Sequence, residues 1–168
     1  MLINCYNHHM KIMGIDPGMA LVGYGVVEVN SGNIELCSSG SIRTAKEDSV
    51  PKRLAEIMQD IRCLVELHKP DVVSIEDLFF FKNQKTIIPV AQSRGVLLAV
   101  IESLGIPIFE YTPMQVKQVL TGYGRASKKE VEDKVRLVIT NKELPKLDDT
   151  VDAIAIAICH ARSQLLLK

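Results

Sequence analysis

The hydrophobic pattern opens on a short apolar run, Lys11 to Asp16 (KIMGID), which Pro17-Gly18 stops, as expected of a strand ending in a turn. Leu21 to Val29 and Ile34 to Arg43 repeat the signal, and Asn30-Ser31-Gly32-Asn33 between them has the composition of a hairpin turn. Three consecutive antiparallel strands are predicted. The period then changes. Leu54, Ile57, Met58, Ile61, Leu64 and Val65 recur at three- and four-residue steps, predicting an amphipathic helix that Lys69-Pro70-Asp71 ends. Val72 to Ile75 reads as a buried strand and Ile106 to Tyr111 as a fifth. Between them, Thr86 to Leu104 reads as a mostly apolar helix with Pro89 near its first turn. Ser127 to Thr140 opens with the capping box Ser127-x-x-Glu130, and Asp149 to Leu167 forms the last helix. Ala153 to Ile158 (AIAIAI) alternates like a strand, but alanine is a poor strand residue and both parities are apolar. It is therefore placed in a buried helix. The order βββαβαβαα predicts an α/β fold, a mixed five-stranded sheet with helices on both faces.

The 168 residues suffice for one domain with a real core, assigned to 11–168, with 1–10 (MLINCYNHHM) as a disordered leader and Met10 as an alternative start. Apolar and charged fractions of 47% and 24% are those of an ordinary globular protein. Lysine plus arginine balances aspartate plus glutamate, 20 against 20. That excludes a wholly basic nucleic-acid coat and an acidic solvating tail, so a polyanion would have to be held by a local patch. No apolar run approaches the roughly 18–20 residues of a membrane span, and Met1 to Met10 lacks the basic and apolar regions of a signal peptide. A cytoplasmic protein with no membrane partner is expected. Cys5, Cys37, Cys63 and Cys159 stand far apart, which argues against a zinc site or a disulfide framework and suggests small buried hydrophobes. His8-His9 reads as part of a frayed terminus.

Four carboxylates occupy awkward positions. Asp16 closes the first strand, Glu76 follows the buried-looking Val72 to Ile75, and Asp149 and Asp152 share a face at the start of the last helix. Each has an ordinary explanation alone: a turn, a strand end facing water, an N-terminal cluster favoured by the helix dipole. Together, on those elements in that order, they point elsewhere. Strands one and four can lie side by side and parallel, bringing Asp16 and Glu76 to one sheet edge over which the last helix starts. Clustered carboxylates repel, and a divalent cation removes that cost. Oxygen ligands without His or Cys suit Mg²⁺ or Mn²⁺, and a pair of such ions is the arrangement for phosphodiester hydrolysis.

Charge is unevenly distributed. Leu78 to Ile101 contains Lys82, Lys85 and Arg94 with no acid, and Tyr111 to Lys129 contains Lys117, Arg125, Lys128 and Lys129 with none. These stretches are expected to rim the carboxylates and bind phosphates. Lys128 and Lys129 lie in a helical first turn, where the dipole disfavours cations but a phosphate would be well seated. A ring of Phe79-Phe80-Phe81 could stack on an unpaired base or wedge a junction; all three could equally fold into a small satellite core.

Gly14-Ile15-Asp16-Pro17-Gly18 with Gly23-Tyr24-Gly25, Ser74-Ile75-Glu76-Asp77, Gln92-Ser93-Arg94-Gly95, Glu110-Tyr111-x-Pro113-x-Gln115-Val116-Lys117 and Asp149-x-x-Asp152-Ala153-x-Ala155-Ile156-Ala157 together resemble the RuvC family, bacterial Holliday junction resolvases, from Lys11 to about Leu165. The resemblance implies an RNase H-like fold and a Mg²⁺-dependent homodimeric endodeoxyribonuclease of recombination and repair. Such an enzyme makes paired symmetric nicks in a four-way DNA junction, leaving 5′-phosphate and 3′-hydroxyl ends. By position it implies Asp16, Glu76, Asp149 and Asp152 as catalytic metal ligands, holding two ions per subunit with Mn²⁺ able to substitute. Phe79 would face the junction and Lys117 and Lys128 the DNA cleft, and a branch-migration helicase complex of the RuvA and RuvB type is the implied partner. The adjacent Asp148 leaves open which of the pair Asp148/Asp149 takes the third ligand role; the three-residue step to Asp152 favours Asp149. The alternatives are an RNA nuclease of the same fold, a junction-binding module without turnover, and a sugar-kinase or actin-like ATPase, which would need two lobes and more than twice this length.

Overall fold

The computed structural model describes residues 9–78, 84–145 and 148–166, with the side chains of 84–86 and 165–166 outside that description. Strands β1 (Met10–Asp16), β2 (Leu21–Asn30) and β3 (Asn33–Arg43) form an antiparallel meander. Its β2–β3 hairpin turns on Ser31 and Gly32, both at positive φ, the geometry that suits the twist of paired strands. Helix α1 (Val50–His68) leads to β4 (Val72–Glu76), which pairs parallel with β1. Helix α2 (Gln84–Ser103) leads to β5 (Ile108–Tyr111), parallel to β4, and the sheet order is β3-β2-β1-β4-β5. Helices α3 (Pro113–Thr121), α4 (Lys128–Val138) and α5 (Asp148–Leu166) complete the chain.

Strand alternation sorts two cores to the two sheet faces. Met13, Ile15, Val73 and Ile75 pack with Ile57 and Ile61 of α1 and with Leu97 and Ile101 of α2. Ile12 and Val27 pack with the other three helices, through Val116, Val135, Ile154 and Ile158 among others. The Ala153–Ile158 segment is helical and buried, as its composition predicts. The mixed five-stranded sheet with helices on both faces is present as expected.

The differences are local. Helix α3 is absent from the predicted order, although Thr112 caps it in a capping box with Gln115 and Pro113 opens it. Helix α2 begins at Gln84, so Pro89 falls in the second turn rather than the first. Met10 belongs to β1, paired with Val29, which moves the predicted boundary at Lys11; residues 1–8 lie outside the described ones. Of the cysteines described, only Cys159 is buried. Cys63 is exposed because α1 buries the stripe Ile57, Ile61 and Val65, and Cys63 falls off it. No helix among the described residues is long and apolar enough to cross a membrane.

Candidate metal centre and nucleic-acid interface

The period-two rule that turns Met13 and Ile15 to one face turns Ile12, Gly14 and Asp16 to the face of α5. In β4 the same alternation sends Ser74 and Glu76 to that face, and Ser74 Oγ donates to the carbonyl of Ile156 in α5 at 3.3 Å. The last β1–β4 pair is Ile15 with Ile75, so Asp16 and Glu76 both stand one residue beyond it.

Helix α5 reaches these strand ends because glycines let it. A Cβ on Gly14 would lie 2.0 Å from the Ala153 carbonyl oxygen, and one on Gly23 2.1 Å from that of Asp149. Gly23 is the cross-strand partner of Asp16. The first turn of α5 therefore rests on backbone beside Asp16, and Thr150 Oγ1 ties it to the Gly40 carbonyl of β3 at 3.3 Å.

One carboxylate oxygen each from Asp16, Asp149 and Asp152 lie within 4.8 Å of one another. Asp149 joins this group, whereas Asp148 is 74% exposed. Burial, then the charges of Glu76, Asp152 and Asp149, push the Asp16 carboxyl up to about 8, with Lys128 opposing. Glu76 is pushed up to about 7 by burial and by Asp152, against Lys117 and Lys128. Asp152 is also raised, chiefly by burial. Each carboxylate thus makes its neighbours harder to ionise, and a multivalent cation reverses that penalty for all at once. The all-oxygen donor set fits a hard divalent metal ion.

Lys128, at the first position of α4, places its Nζ 2.9 Å from Asp152 and 3.5 Å from Asp148. Burial lowers its pKa, but bonding to Asp152 outweighs that and the ammonium is held charged. The capping box of Ser127 and Glu130 forms as predicted, yet Lys128 is turned to the acids rather than to the open helix end. Lys117, half-buried on α3, lines a cavity with Glu76, Asp152 and Lys128 over Val116, Val131 and Ile156. Arg125 and Lys129 are exposed.

Arg94 departs from the expected phosphate rim. Its side chain is only 12% exposed, and its guanidinium bonds the Glu76 carbonyl and the carboxylates of Asp77 and Glu110. Those two acids were invisible as partners in the sequence because they lie 17 and 16 residues away, on other elements. Phe79 and Lys82 lie outside the described residues, as does the side chain of Lys85. The α3 helix that presents Lys117 carried its own signal, Thr112-Pro113-x-Gln115, a capping box with proline at its first helical position.

The family model for the crossover junction endodeoxyribonuclease RuvC matches residues 12–160. A crossover junction endodeoxyribonuclease RuvC of Syntrophomonas wolfei is 45% identical over 157 residues, covering 94% of this chain and 91% of that protein. The namesake from Brevibacillus brevis is 47% identical over 153 residues, 91% and 92% of the two chains. Among solved structures, Thermus thermophilus RuvC in complex with Holliday junction substrate superposes with a TM-score of 0.87 at 33% identity, covering 94% of this chain and 96% of that one.

Proposed function

The chain belongs to the RuvC family of crossover junction endodeoxyribonucleases, and from that premise we propose how its own residues carry out the reaction. It is an endonuclease of RNase H-like fold that resolves Holliday junctions. The observation that carries the mechanistic reading is the convergence of Asp16, Asp149 and Asp152, with Glu76 electrostatically coupled to them.

In this reading Asp16, Glu76, Asp149 and Asp152 would hold two Mg²⁺ ions per subunit, or Mn²⁺ in their place. Bound there, such ions would supply water activation and charge stabilisation for phosphodiester hydrolysis to 5′-phosphate and 3′-hydroxyl ends. The protein's part is positional. Strand ends β1 and β4 and the first turn of α5 supply rigid carboxylates, and Lys128 neutralises Asp152 and Asp148 until a junction phosphate competes for its ammonium. Lys117 and Lys128, which line the cavity with Glu76 and Asp152, bind the DNA backbone together with the exposed Arg125 and Lys129. Phe79, Lys82 and Lys85, in or beside the segment after β4, extend that surface on sequence grounds.

A homodimer would present two such sites to symmetry-related strands. Helix α2, where Ile88 is 66% exposed, is the proposed dimer face. A branch-migration helicase complex of the RuvA and RuvB type is the proposed partner, in the cytoplasm.

The test is cleavage of a labelled four-way junction and its matched duplex, with Mg²⁺ and with chelator, beside Glu76→Gln. Paired nicks at the junction alone, lost with chelator and with Glu76→Gln, are expected. Cleavage that survives Glu76→Gln would remove the acid assignment. Reversing both Lys128 and Lys129 to glutamate should weaken junction binding; unchanged affinity would remove them from the DNA surface.

A further inference from the structure

Asp16 and Glu76 stand beyond the last paired residues of β1 and β4, so the ladder joining those strands does not itself fix the spacing of the two carboxylates. In the sheet each pairs outward, Asp16 with Gly23 of β2 and Glu76 with Tyr111 of β5. Something else must set the gap between them.

Two consecutive residues of α2 reach these two strand ends from the opposite sheet face. Ser93, fully buried, donates its Oγ–H to the Gly18 carbonyl at 2.8 Å, in the turn that follows Asp16. Arg94 donates Nε–H to the Glu76 carbonyl at 3.1 Å. Its Nη2 meets Asp77 at 3.3 Å and also bonds Glu110 on β5. Neighbouring helix residues diverge by about 100° around the axis, so one helix position can serve both strands. The guanidinium is a planar fork with five donors, able to bind a carbonyl and carboxylates in one fixed geometry.

We propose that Ser93 and Arg94 are positioning residues for junction cleavage, a brace on α2 that fixes the separation of Asp16 and Glu76 from behind the sheet. The inference rests on the reading of those acids as metal ligands. It also gives Arg94 a role other than phosphate contact: its Nε and Nη2 donors are engaged by the protein, and its effect reaches the reaction through Glu76.

Three quantities test it: Mn²⁺ binding to the junction-free protein by electron paramagnetic resonance, junction affinity in chelator, and single-turnover cleavage against Mg²⁺ concentration. Arg94→Gln should weaken Mn²⁺ binding and slow cleavage by about 10- to 100-fold, the usual range for losing a residue that orients metal ligands. The Mg²⁺ needed for half-maximal cleavage should rise, while junction affinity stays within about twofold of the parent. Arg94→Lys keeps the charge but not the fork and should recover part of the loss. Ser93→Ala should shift metal binding the same way by a smaller factor. If Arg94→Gln does not fold by circular dichroism, Glu110→Gln and Ser93→Ala carry the comparison.

Unchanged Mn²⁺ binding and an unchanged Mg²⁺ profile in these variants would overturn the brace. So would a loss residing wholly in junction affinity, which would make Arg94 a DNA contact. Glu76→Gln run in parallel separates the two failures. If it cleaves normally, the acid assignment falls; if it is inactive while Arg94→Gln matches the parent, only the brace does.

Discussion

The two ends of α5 both bury ionisable groups, and they do so with opposite consequences. At the N-terminal end Asp149 and Asp152 crowd Asp16, and the groups around them carry mostly the same charge. Toward the C-terminal end His160 is 1% exposed, with Nδ1 2.8 Å from the Tyr111 hydroxyl and its ring against Phe109 and Tyr111. Burial alone pushes His160 down to about 4, so it stays neutral and fits its apolar surroundings. A buried titratable group is therefore not in itself the mark of a reactive site. Repulsion that the fold leaves in place, and an outside cation can relieve, is the more telling sign.

The sharpest way to separate the ends is by activity. Glu76→Gln or Asp152→Asn should lower junction cleavage by at least about 100-fold with junction binding retained. His160→Gln should leave cleavage within about threefold, measured by gel assay under single-turnover conditions. A comparable loss in His160→Gln would erase the distinction.

Stability should then move in opposite directions. In chelator at pH 8, Asp16→Asn is expected to stabilise the protein by about 2–4 kcal/mol in urea unfolding, since it removes a buried charge among like charges. His160→Ala should destabilise it by about 2–3 kcal/mol through the lost ring contacts.

The pH dependence carries the same contrast. With the Asp16 pKa raised from 3.8 to about 8, the folded state binds more protons than the unfolded one across that window. Its contribution is full below pH 4 and lost as pH rises toward 8. With the His160 pKa lowered from 6.5 to about 4, the unfolded state binds more protons. That contribution is full above pH 6.5 and lost as pH falls toward 4, by up to about 3 kcal/mol. Chelator-treated Asp16→Asn should therefore show a shallower alkaline decline, with the part due to Glu76 remaining, and keep the acid one; an unaltered alkaline limb would refute the assignment.

A further effect, similar in size to the loss in His160→Ala, is a rise of the unfolding temperature on adding Mg²⁺ or Mn²⁺ at pH 7. At 100 times the dissociation constant it corresponds to about 2.7 kcal/mol. It should persist in His160→Gln and vanish in Asp149→Asn.

The strands, the hairpin and the positions of the four acids were legible because they depend on local period and on turn residues at fixed offsets. Asp149 could be favoured over Asp148 by its step to Asp152, since three residues bring two side chains to one helix face. Long side chains escaped such reasoning. Arg94 looks like part of a basic rim in one dimension, and its destination depends on Asp77 and Glu110 being brought together by β4 and β5. Lys128 reads as a phosphate seat, but α4 lies where its ammonium meets Asp152. Cys63 shows the same limit: apolar character does not say which side of a helix is buried. The short α3 was overlooked although its cap was written in Thr112 and Gln115, because the stretch stood out first for its lysines.

The contact of α5 with Gly14 and Gly23 makes those two positions spacers of zero thickness. One methyl group on Gly23 would have to be accommodated by lifting the helix on the order of 1 Å, because close-packed backbone has no slack to absorb it. The helix would move as a rod, carrying Asp149 and Asp152 together while Asp16 and Glu76 stayed with the sheet. A folded protein with every carboxylate intact could in this way be mis-gauged for its reaction, and the fault would lie in a residue that has no side chain.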